Sequence, residues 1–490
     1  MNIKYLIIHI TIMNTIDCNN QPSFIFYDYE TFGTHPALDK PAQFACIRTD
    51  LNLNIIDKLT VFYCFPPNDY LPNPESVLIT GITPQYTHKY GINEFYFSQK
   101  IYNILNIPDT CIIGYNNIQF DDEITRNIFY RNFFDPYSWS WKNNNSRWDL
   151  INIMRACYIL HPKDIIWPKN KLGFVSFKLN DLTNCNNISH LNVHNAASDI
   201  LATMNLAKLV KRKHPKLFNY FFKYRLKNNL KSLINTVQLT PLIYISGILG
   251  NIRNNMTCIV PIFWNVKNVN MLIFFDLYMD INLLISFLKK ECYHNITMKK
   301  LFSLGINFLY INQCPILVPI DLLDYKNQYR LNINLKSYLK TIYILRKNIF
   351  LFYKIKNFFK NFIYFNINND VDLKMYDAFF NESDKKKMKV IHNNSINNAT
   401  NNLKNMHVNF YDSRLYEIFF RYRSRNFPES LKKNEKKKWL LYKLNKFNKK
   451  FLEKYCFNLN VLIKKYNKNS KKVNLLNDLI KYVKYFIQFK

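Results

Sequence analysis

Apolar residues recur along the chain in two periods, and their succession divides it into three stretches of different character. From residue 23 to about 210 the pattern is mixed. FIFYDYE (24–30) reads as a strand, and residues 42–50 and 59–65 read as partner strands joined through 51–58. A helix is expected over 93–106, and a short buried strand over 110–117 running into a helix at 121–132. A further helix over 150–160 starts behind Asp149 as its cap, and a last one covers 195–211. Strands followed by helices in this order predict an α/β unit, a mixed sheet with flanking helices.

The next stretch carries LIYISGILG, CIVPIFW and MLIFFDLY, which predict a small β-rich unit, then a lysine-rich helix near 340–362. NINNDVD marks a boundary. From 371 onward the pattern is helical to the end, except that NNSINNATNNLKN at 393–405 is low in complexity and is expected to be a loop. The expected division is an N-terminal extension at 1–22, then domains at 23–212, 213–365 and 366–490.

No uncharged apolar run reaches the roughly 20 residues that a membrane span needs. The nearest candidate, 272–288, is interrupted by Asp276 and Asp280. Residues 1–13 imitate a signal peptide, but His9 interrupts the apolar part and no small-residue cleavage site follows; Met13 is an alternative start. The ten cysteines are irregularly spaced without a C-x-x-C pair, which argues against a zinc site or disulfide framework and for reduced thiols in a cytoplasm.

Lys and Arg number 67 against 34 Asp and Glu, a formal charge of +33. Two causes share this excess about evenly. A polyanionic partner such as nucleic acid draws on basic charge for its affinity. An A+T-rich genome also enriches Lys, Asn, Ile, Phe and Tyr at the expense of Gly, of which there are only 8.

The candidate chemistry lies in three segments. Alternate residues of a strand share a face, so Asp28 and Glu30 set two carboxylates side by side, a pair that repels itself unless a cation lies between. Oxygen-only ligands favour Mg²⁺, or Mn²⁺ as a substitute, over Zn²⁺. With Asp121 and Asp199, four carboxylates suffice for two ions about 4 Å apart, the arrangement that hydrolyses phosphodiesters. His194 suits the remaining task of accepting a proton from water. It lies five residues before Asp199, about 140° away on a regular helix, so it is expected just before the helix or in its first turn. Each motif alone is weak; their order and placement make the combination strong.

Longer stretches carry a closer likeness. DYETFGTHPALDKPAQFACIRTD, DYLPNPESVLITGITP, GYNNIQFDDEITRNIFYRNFFDPYSWSW and NSRWDLINIMRACY, with VDLKMYDAFF and RYRSRNFP further on, resemble the bacterial exonuclease I family. That family belongs to the ribonuclease-H-like superfamily, in the branch with four acidic residues and a histidine. The resemblance implies a ribonuclease-H-like exonuclease domain, an SH3-like domain and an all-α C-terminal domain, the last two curving around the first to form a basic channel for one DNA strand. It implies a 3′→5′ exodeoxyribonuclease that degrades single-stranded DNA to 5′-mononucleotides in repair and recombination, as a monomer in the bacterial cytoplasm. It assigns metal to Asp28, Glu30 and Asp199, with Asp121 completing the cluster and His194 as base. It also implies a substrate contact at Lys178, where the family usually has arginine; lysine keeps the charge but loses the planar fork. A further implied partner is the acidic tail of single-stranded-DNA-binding protein, with His161 where the family carries an arginine.

Among DNA contacts, Tyr137 and Trp141, in a segment flanked by Arg126, Arg131, Arg147 and Arg155, suit base stacking and phosphate pairing. The substrate-binding set is therefore Glu30, Lys178, Arg126, Tyr137, Trp141 and Arg155. Two other readings stay open: a related exonuclease acting on RNA or as a proofreading subunit, and a non-catalytic single-stranded-DNA-binding protein.

Overall fold

In the computed structural model, residues 21–191, 193–290, 295–361, 368–396 and 399–488 are described; the first 20 residues, on which the signal-peptide and Met13 readings fall, lie outside them. The nuclease domain is built on five strands, β1 (Ser23–Thr31), β2 (Pro41–Asp50), β3 (Thr60–Tyr63), β4 (Thr110–Gly114) and β5 (Ser146–Asp149). Their order is β3-β2-β1-β4-β5. The β1–β2 and β2–β3 pairs are antiparallel, whereas β4 and β5 run parallel to β1.

Five helices matter for the site: α1 (Glu94–Leu105), α2 (Asp121–Arg131), α3 (Leu150–Leu160), α4 (Leu179–Cys185) and α5 (Ala196–Lys213). The pleat of β1 sorts its side chains. Ile25, Tyr27 and Tyr29 enter one core with α1 and α2, while Phe24 and Phe26 enter the other with Ile200 and Met204 of α5. Asp28 and Glu30 continue the Phe24–Phe26 face, the face that α5 covers. Asp149 accepts hydrogen bonds from the N–H groups of Ile151, at 3.2 Å, and Asn116, at 2.8 Å, so it caps α3 as its position in sequence suggested.

The second domain is an antiparallel sheet of β6 (Leu242–Ile245), β7 (Met256–Trp264), β8 (Met271–Asp276), β9 (Ile306–Tyr310) and β10 (Ile316–Pro319), in the order β10-β6-β7-β8-β9. Its inner face shares one apolar core with α3 and α5 of the nuclease domain. The expected helix over 340–362 is instead two, α6 (Leu335–Lys347) and α7 (Tyr353–Asn361), broken at Asn348 by a single tight turn that buries Leu351 and Phe352.

The C-terminal domain is helical: α8 (Glu382–Ile396), α9 (Ala399–Lys404), α10 (Arg414–Asn426), α11 (Lys433–Lys446), α12 (Lys449–Lys465) and α13 (Ser470–Gln488). The expected loop at 393–405 is corrected here, because α8 and α9 occupy its described residues up to Lys404. Tertiary packing overrides the polar composition. Leu403 is fully buried, and Ser395 accepts a hydrogen bond from the Tyr422 hydroxyl at 2.7 Å. Among the described residues no helix is long and apolar enough to cross a membrane, and the eight described cysteines are free.

This domain clasps the nuclease domain at two places. Val371, Met375, Ile391 and Leu415 pack on Phe95, Tyr130 and Phe133, while Leu459, Leu476 and Leu479 pack on Phe32, Tyr70 and Val77. At the first seam Arg425 reaches both Asp69, at 2.9 Å, and Asp372, at 2.8 Å.

Candidate active site

The carboxyl ends of β1, β4 and β5 open on one edge of the sheet, where irregular segments meet and side chains from several elements converge. Asp28 and Glu30 stand at that end of β1. Asn195 caps α5, its side chain accepting from the N–H of Ser198 at 3.3 Å, while the Ala196 N–H donates to Gln43 of β2 at 3.3 Å. The start of α5 is thereby tied to the sheet, and Asp199 in its first turn falls over β1. Oxygens of Asp28, Glu30 and Asp199 lie within 4.8 Å of one another.

Asp121 opens α2, just beyond the end of β4. It borders this trio, with one carboxylate oxygen accepting the Tyr29 N–H at 3.2 Å. Its neighbour Asp122, a step of about 100° around the helix, turns into the protein and binds Tyr27, Arg147 and Asn117. Of two adjacent aspartates, the helix sends one to the site and one to the core.

Burial raises the carboxyls of the cluster, and mutual charge raises them further. Burial followed by Asp121, Glu30 and Asp199 holds Asp28 well above its ordinary range. Burial and then Asp199 and Asp121 push Glu30 up to about 9. Asp199 is raised by burial and partly relieved by a hydrogen bond from His190. Three close all-oxygen donors that resist ionisation together fit a hard divalent cation, which removes the repulsion.

The sign of the resulting pH dependence follows from Glu30. Its carboxyl rises from 4.5 to about 9, so the folded protein keeps a proton that the unfolded chain has released. That contribution to stability is full below pH 4.5 and is lost as pH climbs toward 9. A bound divalent ion stabilises the carboxylates, so the gain in melting temperature on adding it should widen across this window. A gain independent of pH would contradict the electrostatic account.

His194 occupies a left-handed turn, φ 64°, immediately before the cap of α5, and its side chain is exposed. Its backbone N–H donates to Asp199. His190, which sequence reasoning did not single out, is the histidine in direct side-chain contact with Asp199, Nε2 to Oδ1 at 2.6 Å. Only its place four residues before His194 could have drawn attention to it.

Several side chains expected to contact DNA also make contacts within the protein. Arg126 is almost buried between Glu123, at 2.5 Å, and the Tyr376 hydroxyl, at 3.2 Å, and it lies over the Tyr137 ring. Tyr137 donates to the Met375 carbonyl at 3.3 Å. Both therefore close the seam to the C-terminal domain. Arg155 binds Asn152 at 2.7 Å and is wedged against Gly247 of the second domain, where even an added Cβ would come within 2.6 Å of its guanidinium. Arg131 forms a two-pronged pair with Glu94, both contacts at 2.6 Å, and Arg147 is buried against Asp122. Lys178 is exposed just before α4, and Trp141 is 65 % exposed.

A five-stranded mixed sheet flanked by helices, with clustered carboxylates at the carboxyl end of its first strand, defines the ribonuclease-H-like class of exonuclease domain. The sequence matches family models described as Exonuclease over residues 25–207, Exonuclease I SH3-like domain over 225–361 and Exonuclease I C-terminal domain over 369–486. The chain belongs to the exonuclease I family. It is 54% identical over 473 residues to exodeoxyribonuclease I of Buchnera aphidicola subsp. Schizaphis graminum, covering 96% of this chain and 97% of that one. It superposes on Escherichia coli exonuclease I in complex with a dA16 oligonucleotide with a TM-score of 0.89 at 42% identity, covering 95% of this chain and all of the other. A structure of SSB/exonuclease I in complex with the inhibitor CFAM aligns with a TM-score of 0.86 at 41% identity, again over 95% of this chain and 100% of the other.

Proposed function

We propose that this protein removes 5′-mononucleotides one at a time from the 3′ end of single-stranded DNA, using two divalent ions of the Mg²⁺ type. The convergence of Asp28, Glu30 and Asp199 within 4.8 Å is the observation that carries the reading. Asp121, adjacent to Asp28, completes the donor set. When bound, such ions supply charge stabilisation to the attacking and leaving oxygens of a phosphodiester.

The chain's own residues do the rest. An imidazole nitrogen of His194 accepts the proton of the attacking water; an exposed side chain on a turn fixed by its N–H bond to Asp199 can reach a terminal phosphate. Lys178 contributes charge to the strand, and Trp141 offers an open face for a terminal or neighbouring base. A solved E. coli relative carries a dA16 oligonucleotide, which supports single-stranded DNA as the substrate class. The solved SSB/exonuclease I complex supports an acidic-tailed SSB partner here too. His161, exposed with its ring 5.1 Å from that of His214, lacks the planar fork with which an arginine would grip that acidic tail. The roles proposed are repair and recombination.

The deciding experiment presents DNA and RNA strands labelled at the 3′ or 5′ end to purified protein with Mg²⁺. Release of the 3′ label from DNA first, as a 5′-mononucleotide, is the expected result. Preferential loss of RNA would turn the reading to an RNA exonuclease, and binding without shortening would turn it to a single-strand binder. In the same assay His194→Ala should lower the rate and flatten its pH dependence, and an unchanged profile would remove His194 as the base.

A further inference from the structure

The reaction just described leaves His190 without a part, although it touches the Asp199 carboxylate directly. The ring is enclosed, its side chain 1 % exposed, and both of its nitrogens are engaged. Nε2 stands 2.6 Å from Asp199 Oδ1, and Nδ1 stands 3.3 Å from Thr183 Oγ1. Thr183 on α4 is fully buried, and its hydroxyl already donates to the Asn180 carbonyl at 3.0 Å. With Nε2–H donating to Asp199, a neutral ring leaves Nδ1 as an acceptor, and the Thr183 hydroxyl faces both that nitrogen and the Asn180 carbonyl. A continuous chain of contacts thus runs from the backbone of α4 through Thr183 and His190 to one oxygen of Asp199.

That chain addresses a problem the carboxylate cluster creates. Asp199 is part-exposed, and without a cation it is repelled by Asp28 and Glu30. Apart from the His194 N–H at the edge of the helix, nothing in the first turn keeps its side chain from turning away to water, and capturing an ion would then require the side chain to be ordered as well. A partner that ties one oxygen from behind while the carboxylate stays within 4.8 Å of Asp28 and Glu30 removes that cost.

We propose that His190 is a positioning residue that locks the Asp199 carboxylate in its ion-binding orientation, with Thr183 anchoring the ring. The proposal rests on the divalent-ion reading above. It concerns the order of the ligand rather than proton transfer, which falls to His194.

Mn²⁺ binding to the full-length protein, measured without DNA by electron paramagnetic resonance or calorimetry, tests it independently of catalysis. His190→Ala is expected to weaken Mn²⁺ binding by about 10- to 100-fold, the usual effect of removing a hydrogen-bonding partner behind a metal ligand. His190→Gln should recover most of that loss, because its amide nitrogen can stand where Nε2 stood. In cleavage assays the Mg²⁺ concentration for half-maximal rate should rise for His190→Ala, with kcat approaching the unmodified value at saturating Mg²⁺. If His190→Ala does not fold, Thr183→Val, which keeps the volume and removes the anchor's oxygen, should weaken Mn²⁺ binding several-fold.

Unchanged Mn²⁺ affinity in the variants, or a glutamine variant as weak as the alanine one, would overturn the proposal. Failure of the unmodified protein to bind Mn²⁺ would overturn the divalent-ion reading itself, and this inference with it.

Discussion

Asp199→Ala is expected to lower cleavage by about a thousandfold while leaving single-strand binding largely intact. Removing one group that stabilises developing charge in an enclosed site costs on the order of 10²–10³ in rate, and here the removed group also holds an ion. Binding should survive because the basic surface, not the acidic cluster, attracts phosphates. Asp28→Asn sharpens the test. It should be equally inactive, yet melt at a higher temperature than the unmodified protein in the presence of a chelator at neutral pH, because Asp28 is pressed by burial and by Asp121, Glu30 and Asp199. Gel-shift or anisotropy measurements with a labelled oligonucleotide, beside melting curves, check both halves. Equal loss of binding and cleavage would argue against separate roles for the basic surface and the carboxylates, and an unchanged melting temperature would argue against the repulsion.

The second large effect is expected far from that cluster. Arg425→Ala should destabilise the protein by about 3–5 kcal/mol, the usual penalty when one partner of a buried ion pair is removed. Arg425 lies between Asp69 and Asp372, all three nearly inaccessible to solvent. Burial opposes ionisation of Asp69, yet Arg425 and Lys446 hold its carboxyl far below the usual range. Without the guanidinium, two carboxylates remain at the seam where the C-terminal domain meets the nuclease domain, served only in part by Lys446, Lys40 and Arg421. Denaturant melts should show the loss, and limited proteolysis should show whether the C-terminal domain opens first. Arg425→Leu fills part of the space but leaves the same carboxylates, so it should not rescue. A near-neutral Arg425→Ala would mean that Lys446, Lys40 and Arg421 suffice.

The contrast between these two sites shows how far one-dimensional reasoning reaches. Asp28, Glu30 and Asp199 could be named from motif spacing because local periodicity governs them. A strand sets i and i+2 on one face, and an Asn cap announces the start of a helix. The Arg425 seam carried no such signal, since Asp69 and Arg425 are separated by more than 300 residues and each is an ordinary charged residue in its own neighbourhood.

The arginines and aromatics near 126–155 show the same limit from the other side. Arg126, Tyr137 and Arg155 have the composition of a nucleic-acid surface, but composition does not tell whether a guanidinium will meet a phosphate or a carboxylate of its own chain. Arg126 meets Glu123 and Tyr376, and Arg155 packs against Gly247; two of these three neighbours come from other domains, out of reach of the local pattern.

By itself, then, the sequence determined the mixed α/β character of the first domain, the β-rich and helical character of the next two, and the pairing of Asp28 with Glu30 on one face of a strand. Tertiary structure alone decided that Asp121 faces the cluster while Asp122 is spent on Arg147, that Asp199 is tied to His190, and that Arg126 lies against Tyr376 of the C-terminal domain. The reason is physical. Backbone periodicity acts over a few residues and is written in the local pattern, whereas burial and charge pairing depend on which distant segments fold against each side chain.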